Sequence, residues 1–152
     1  MIIGTVKEVM NNENRVGLNI NIVKSLINNG HQVYIENNAG LESGITNEDY
    51  ISVGANILDD VSDVWNKSDM IVKVKAPLKE EFKYLREGLI LFCYLHLAAY
   101  PELTQELVKT KTIAIAFETI ETEDGMLPAL KPMSAIAGRL SVIIGANLLR
   151  KS

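Results

Sequence analysis

The sequence predicts an α/β fold of the three-layer, Rossmann-like kind, a parallel sheet with helices on both faces. Two observations carry this. Short apolar or β-branched runs alternate with amphipathic segments along the chain, as a series of βα units requires. Each run is apolar on both faces, which suits strands covered twice rather than once. At 152 residues the chain has the length of one ordinary domain with a sizeable core.

Ile2 to Val6 reads as the first strand and "VYI" at 33 to 35 as the second. "MIVKV" at 70 to 74, "GLILFCY" at 88 to 94 and "TIAIAF" at 112 to 117 follow as the third, fourth and fifth. Between them, Ile22, Val23, Leu26 and Ile27 form one face of a helix that Gly30 ends. Thr46 with Asp49 predicts a capping box ahead of a short helix. Val61, Val64 and Trp65 suggest another, and Leu78, Phe82 and Leu85 share a helical face. Pro101 suits a first helical turn, with Leu103 and Leu107 on one side. "EDGML" at 123 to 127 carries an Asp-Gly turn signal and predicts a small hairpin before Pro128.

The last segment, 133 to 150, reads as one long helix apolar nearly all round, with Arg139 as its only charged interior residue. Ser134, Gly138, Ser141 and Gly145 form a stripe of small residues along it. Such a stripe permits close backbone approach. It fits packing on this domain's own sheet, and it fits contact with something beyond it.

An apolar share of 47% with 22% charged residues predicts a folded chain. The net charge of -4 and the lack of a basic stripe argue against a nucleic-acid partner. A single cysteine, Cys93, excludes an intrachain disulfide and fits a reducing compartment. No apolar h-region follows a basic start, and the apolar stretches read as shorter than a membrane span, so a cytoplasmic protein without a membrane partner is expected. Two histidines and one cysteine, widely scattered, make no metal pattern. Glycine-rich dinucleotide and phosphate loops are missing from the sequence, as is a nucleophile elbow.

Ligands of open parallel sheets bind beyond the carboxyl ends of the strands. Arg15 in "NNENRVGL", Lys75 at the end of the third strand, His96 past the fourth, and Glu118 and the loop after the fifth are the candidates for that rim. Singly, each has an ordinary reading as a solvated or structural group. Together they suit a small anion: arginine offers a bidentate fork, lysine a point charge beside an oxygen, and histidine an exchangeable proton near neutral pH. A 2-oxo or 2-amino acid and a phosphate satisfy that set equally.

Five stretches resemble one family. They are "MIIGTVKEVMNNENRVGL", "NAGLESGITNEDY", "DMIVKVKAPLKEE", "LREGLILFCYLHLAAYPELT" and "LPALKPMSAIAGRLSVIIGANLL". The chain resembles the N-terminal part of bacterial NAD-dependent alanine dehydrogenases, with nicotinamide nucleotide transhydrogenases sharing the architecture. The resemblance implies a substrate-binding domain at 1–132 and an interdomain or interface helix at 133–150. It implies Arg15 as the carboxylate ligand of pyruvate or L-alanine, Lys75 as the contact to the carbonyl oxygen, and His96 as the acid/base group. Ser134 would contact the nucleotide, and Tyr94, Glu118 and Met133 would line the cleft. The NAD-binding domain of such enzymes lies downstream of residue 152, so the chain alone is expected to be inactive and to form homo-oligomers through its last helix. A non-catalytic anion-binding or oligomerising module, or half of a split enzyme, is the alternative.

Overall fold

The computed structural model describes residues 1–150, which divide into two compact units, Met1–Ala116 and a second from Phe117 onward. The first unit holds six strands: β1 (Ile2–Thr5), β2 (Gln32–Glu36), β3 (Asn56–Leu58), β4 (Met70–Lys75), β5 (Ile90–Tyr94) and β6 (Ile113–Ala116). They form one sheet in the order β3-β2-β1-β4-β5-β6, and every neighbouring pair runs parallel. Helices α1 (Ile20–Asn28), α2 (Asn47–Ser52), α3 (Val61–Lys67) and α4 (Pro101–Thr110) lie between the strands. The Rossmann-like α/β architecture expected from the alternating pattern is the one observed.

Local chemistry sets the helix ends as the sequence indicated. Gly30 sits at φ 79 after α1, where a side chain would be strained, and its amide donates to the Ile27 carbonyl at 2.9 Å. The capping box of α2 is complete: Asp49 donates its amide to Thr46 Oγ1 at 3.2 Å, and Thr46 donates its own to Asp49 Oδ2 at 2.9 Å. At the end of α3 the Arg86 guanidinium donates to the carbonyls of Trp65 at 3.0 Å and Ser68 at 2.6 Å, satisfying acceptors a helix leaves open.

One core cluster joins Val64 and Trp65 of α3, Ile71 of β4, Leu91 and Cys93 of β5, and Leu103 and Leu107 of α4. Trp65 is fully buried and stacks on Tyr84 at 5.4 Å. Within this apolar setting Lys73 of β4 is also fully buried. Its ammonium pairs with Glu81, in a 3-10 segment after β4, and lies 3.9 Å from Glu8, just past β1. Glu8 and Glu81 are themselves buried.

Four details differ from expectation. A sixth strand, β3, stands at the sheet edge; three residues of mixed exposure leave too little alternation to register as a strand. The segment carrying Leu78, Phe82 and Leu85 forms a 3-10 helix over Lys79–Tyr84, in which Glu81 accepts the Leu78 amide at 3.0 Å and reaches the buried Lys73. In the second unit "EDGML" makes a closed turn without strands; Gly125 donates to the Thr122 carbonyl at 2.8 Å and Thr122 to that of Met126 at 2.9 Å. Finally, α5 spans Lys131–Leu149, with Pro132 in its first turn, so it begins two residues early. Its 19 residues and mean hydropathy of 1.4 are enough by length and composition to cross a membrane, contrary to the apolar stretches being too short. The scattered Gly, Ser and Asn residues hide this length from a search for continuous apolar runs. No residue of α5 is buried.

Candidate functional site

The carboxyl rim of the sheet is where the first unit brings its polar residues together. Lys75 ends β4 and Tyr94 ends β5, and the two are register partners, after an irregularity between Val72 and Lys75. Two residues on, His96 takes a left-handed backbone at φ 47, a conformation that costs a non-glycine residue about 1–2 kcal/mol. Its carbonyl accepts the Ala99 amide at 2.8 Å, turning the chain from β5 into a 3-10 turn and then α4. The imidazole is exposed and stacks on the Tyr94 ring, with centroids 6.0 Å apart and planes 10° from parallel. The histidine is therefore a rim group held from one side by an aromatic plate, and not a core histidine.

Arg15 lies in the loop between β1 and α1. The Glu13 carboxylate meets it edge-on: Nε donates to Oε1 at 2.7 Å and Nη2 to Oε2 at 2.6 Å. Glu13 is nearly buried, its side chain 9% exposed, whereas that of Arg15 is 42% exposed. The guanidinium holds the Glu13 carboxyl below the usual range, and the charge of Lys75 adds to this. The Glu13 carboxylate in turn holds the Arg15 guanidinium above its ordinary value, and the charge of Glu8 adds to this. Glu13 thus links Arg15 to the charge of Lys75, and Lys75 is in register with Tyr94, on whose ring His96 stacks.

The loop holding Arg15 is fastened at several points. Ser43 donates to the Asn14 carbonyl at 2.7 Å, and the buried Tyr50 phenol donates to that of Leu18 at 2.7 Å. Between them Gly17 presses against β4; a Cβ there would come within 2.5 Å of the Val72 carbonyl oxygen. Only glycine lets this loop lie so close to the strand that carries Lys75.

Beneath the rim, Glu8 accepts the Val74 amide at 2.6 Å and the Lys75 amide at 3.3 Å. Burial raises its carboxyl above the ordinary value, against the pull of Lys73. Glu8, Glu13 and Glu81 escaped sequence reasoning. A lysine inside a strand covered on both faces was the available signal for the buried pair, since such a charge needs a partner. Apart from these groups, Pro77, Leu78, Phe82, Tyr100 and Leu103 line a largely apolar cavity of about 450 Å³, edged by a Lys79–Glu102 ion pair at 2.6 Å.

Glu118, Met133 and Ser134 belong to the second unit. Glu118 is half-buried in a 3-10 turn, Phe117–Thr119. Met133 and Ser134 lie in the first turn of α5, where the Ser134 amide donates to the Leu130 carbonyl at 3.0 Å. An open depression of about 380 Å³ is lined by Gly125, Met126, Leu127, Leu130, Lys131 and Ser134. The described residues hold no group of three or more potential metal ligands.

Comparison with known proteins follows the same lines. The family model for the alanine dehydrogenase/PNT N-terminal domain matches residues 4–137. An alanine dehydrogenase of Bacillus subtilis is 54% identical over 151 residues, 99% of this chain and 39% of that protein. The Staphylococcus saprophyticus alanine dehydrogenase is 51% identical, again over 99% of this chain, and 40% of its own length is covered. A solved L-alanine dehydrogenase superposes with a TM-score of 0.92 at 46% identity, covering 98% of this chain and 41% of that one. A transhydrogenase from Sinorhizobium meliloti gives 0.72 at 27% identity, over 78% of this chain and 34% of that one. The chain therefore spans about 40% of the length of the relatives it matches.

Burial raises the Tyr50 phenol from 10.0 to about 12. Between those values the folded chain keeps a proton that the unfolded chain has released, so stability falls as pH rises through that window. Absorbance titration of the five tyrosines should show one late ionisation near 12 that Tyr50→Phe abolishes. The same variant should lose about 1 kcal/mol in urea unfolding through the missing Leu18 bond. All five titrating together near the ordinary value would contradict the anchoring role.

Proposed function

We propose that this chain, which belongs to the alanine dehydrogenase/PNT N-terminal domain family, is the substrate-binding part of an L-alanine dehydrogenase. In the parent enzyme L-alanine, oxidised NAD and water give pyruvate, ammonium, NADH and a proton. The observation that carries this reading is that Arg15 and Lys75 both act on the Glu13 carboxylate at the carboxyl rim, with Tyr94 in register beside Lys75 and His96 stacked on its ring.

Each group has a distinct task. Arg15 receives the substrate carboxylate by charge-assisted hydrogen bonds. Lys75 donates to the oxygen on the neighbouring carbon, stabilising negative charge as it develops there. His96 takes or returns a proton at the same centre, its ring plane set by Tyr94. Holding the small acid at its carboxylate and oxygen fixes the reacting carbon in space, which is the larger part of what such a binding domain contributes.

NAD, when bound, supplies the hydride acceptor. The sequence has no glycine-rich turn between a strand and a helix, so its own residues make no dinucleotide cradle. Ser134, exposed at the start of α5, is the contact this chain offers toward the nucleotide. Alone, the chain binds the acid without turning it over, and it works in the cytoplasm as part of its parent enzyme.

Calorimetry or NMR titration with pyruvate tests the binding half of this reading. The chain should bind pyruvate, and Arg15→Ala should weaken binding by about tenfold or more through loss of a charge-assisted pair. Equal binding by both proteins, or none by either, would refute the assignment of Arg15.

The bare face of α5 supports a second element, self-association. Val142 is 72% exposed, Leu148 81% and Leu149 86%, alongside the small-residue stripe Ser134, Gly138, Ser141 and Gly145. A surface of this kind is covered in a soluble assembly. Arg139 at mid-helix favours a protein partner over lipid. Light scattering at micromolar concentration should find dimers or larger species. A clean monomer would exclude this role for the helix.

A further inference from the structure

We infer that Glu13 is a positioning residue for Arg15, fixing the plane of the guanidinium so that it meets a ligand carboxylate in one orientation. The inference rests on the reading of Arg15 as the carboxylate ligand and adds how that arginine is aimed. Two parallel hydrogen bonds, at 2.7 and 2.6 Å, tie the Nε–Nη2 edge to the two oxygens of Glu13. A third, from the Arg15 amide to Glu13 Oε1 at 3.1 Å, ties the backbone to the same carboxylate.

The asymmetry of exposure assigns the roles. The Glu13 side chain is 9% exposed and that of Arg15 42%, so the carboxylate is the more fixed member and the arginine the more accessible one. An arginine side chain loses several rotatable bonds when it binds, and a partner that has already ordered it removes that cost from the binding step. The loop beneath supports this rigidity, since Ser43 holds the Asn14 carbonyl, the residue between Glu13 and Arg15. Gly17 packs the following turn on β4. A carboxylate that merely competed with the ligand would need room to swing away, and the Glu13 side chain, 9% exposed, has little.

The test uses Glu13→Gln, which keeps the shape and removes the charge. Its fold is checked by the amide spectrum, and its pyruvate affinity should fall about tenfold. In an Arg15→Lys background the same change should have little further effect, because a lysine has no planar fork to aim; this separates action through Arg15 from general loosening. Tighter or unchanged pyruvate binding by Glu13→Gln would overturn the inference, as would an undiminished loss in the Arg15→Lys background. A ligand-free measurement stands beside these. In the unsubstituted chain the Arg15 Nε–H should exchange with water far more slowly than that of Arg139, and Glu13→Gln should abolish the difference. Equal exchange in the unsubstituted chain would overturn the inference even where Glu13→Gln fails to fold. Slow exchange without any pyruvate binding would instead count against the substrate assignment and leave the Glu13–Arg15 clamp standing.

Discussion

A charge buried inside a strand is the constraint from which much of this structure follows. Lys73 sits in β4 with no exposed surface, and taking its ammonium out of water is tolerable only with opposite charge at hand. Glu81 and Glu8 supply it from two different segments. Removing one partner of such a group typically costs about 3–5 kcal/mol, because the remaining charges stay buried. The 3-10 segment carrying Glu81 and the exit from β1 carrying Glu8 are thereby both tied to the central strand.

The consequence for the rim is direct. Glu8 accepts the amides of Val74 and Lys75, so the carboxylate balancing Lys73 also holds the end of β4 from which Lys75 projects. The charge of the same carboxylate reaches Arg15. A loop fastened by Ser43, Gly17 and Tyr50 brings Arg15 over this platform. The site is thus assembled from several short segments, secured by buried hydrogen bonds to Glu8 and from Tyr50, an exposed one from Ser43 and the close approach of Gly17.

Most of the architecture was legible because it depends on local signals. Strand runs, the Thr46–Asp49 box, Gly30 and Pro101 all act within a few residues, and each behaves as its chemistry dictates. Edge strand β3 escaped because three residues carry too little pattern. The 3-10 form of 79–84 escaped because a tertiary demand, Glu81 reaching Lys73, competes with the helical spacing of Leu78, Phe82 and Leu85. Among site residues, Arg15, Lys75 and His96 stand out as cations and a histidine at strand ends. Their supports, Glu8, Glu13 and Tyr50, look like ordinary surface or helix residues until the fold brings distant segments together.

Amide hydrogen exchange at Val74 and Lys75 tests the central claim most directly, that one buried carboxylate both balances Lys73 and holds the rim. Both amides should be protected in the unsubstituted chain, and Glu8→Ala should speed their exchange by about tenfold or more while Ile71 and Leu91 change less. Rapid exchange at Val74 and Lys75 in the unsubstituted chain, or no response to Glu8→Ala, would contradict it.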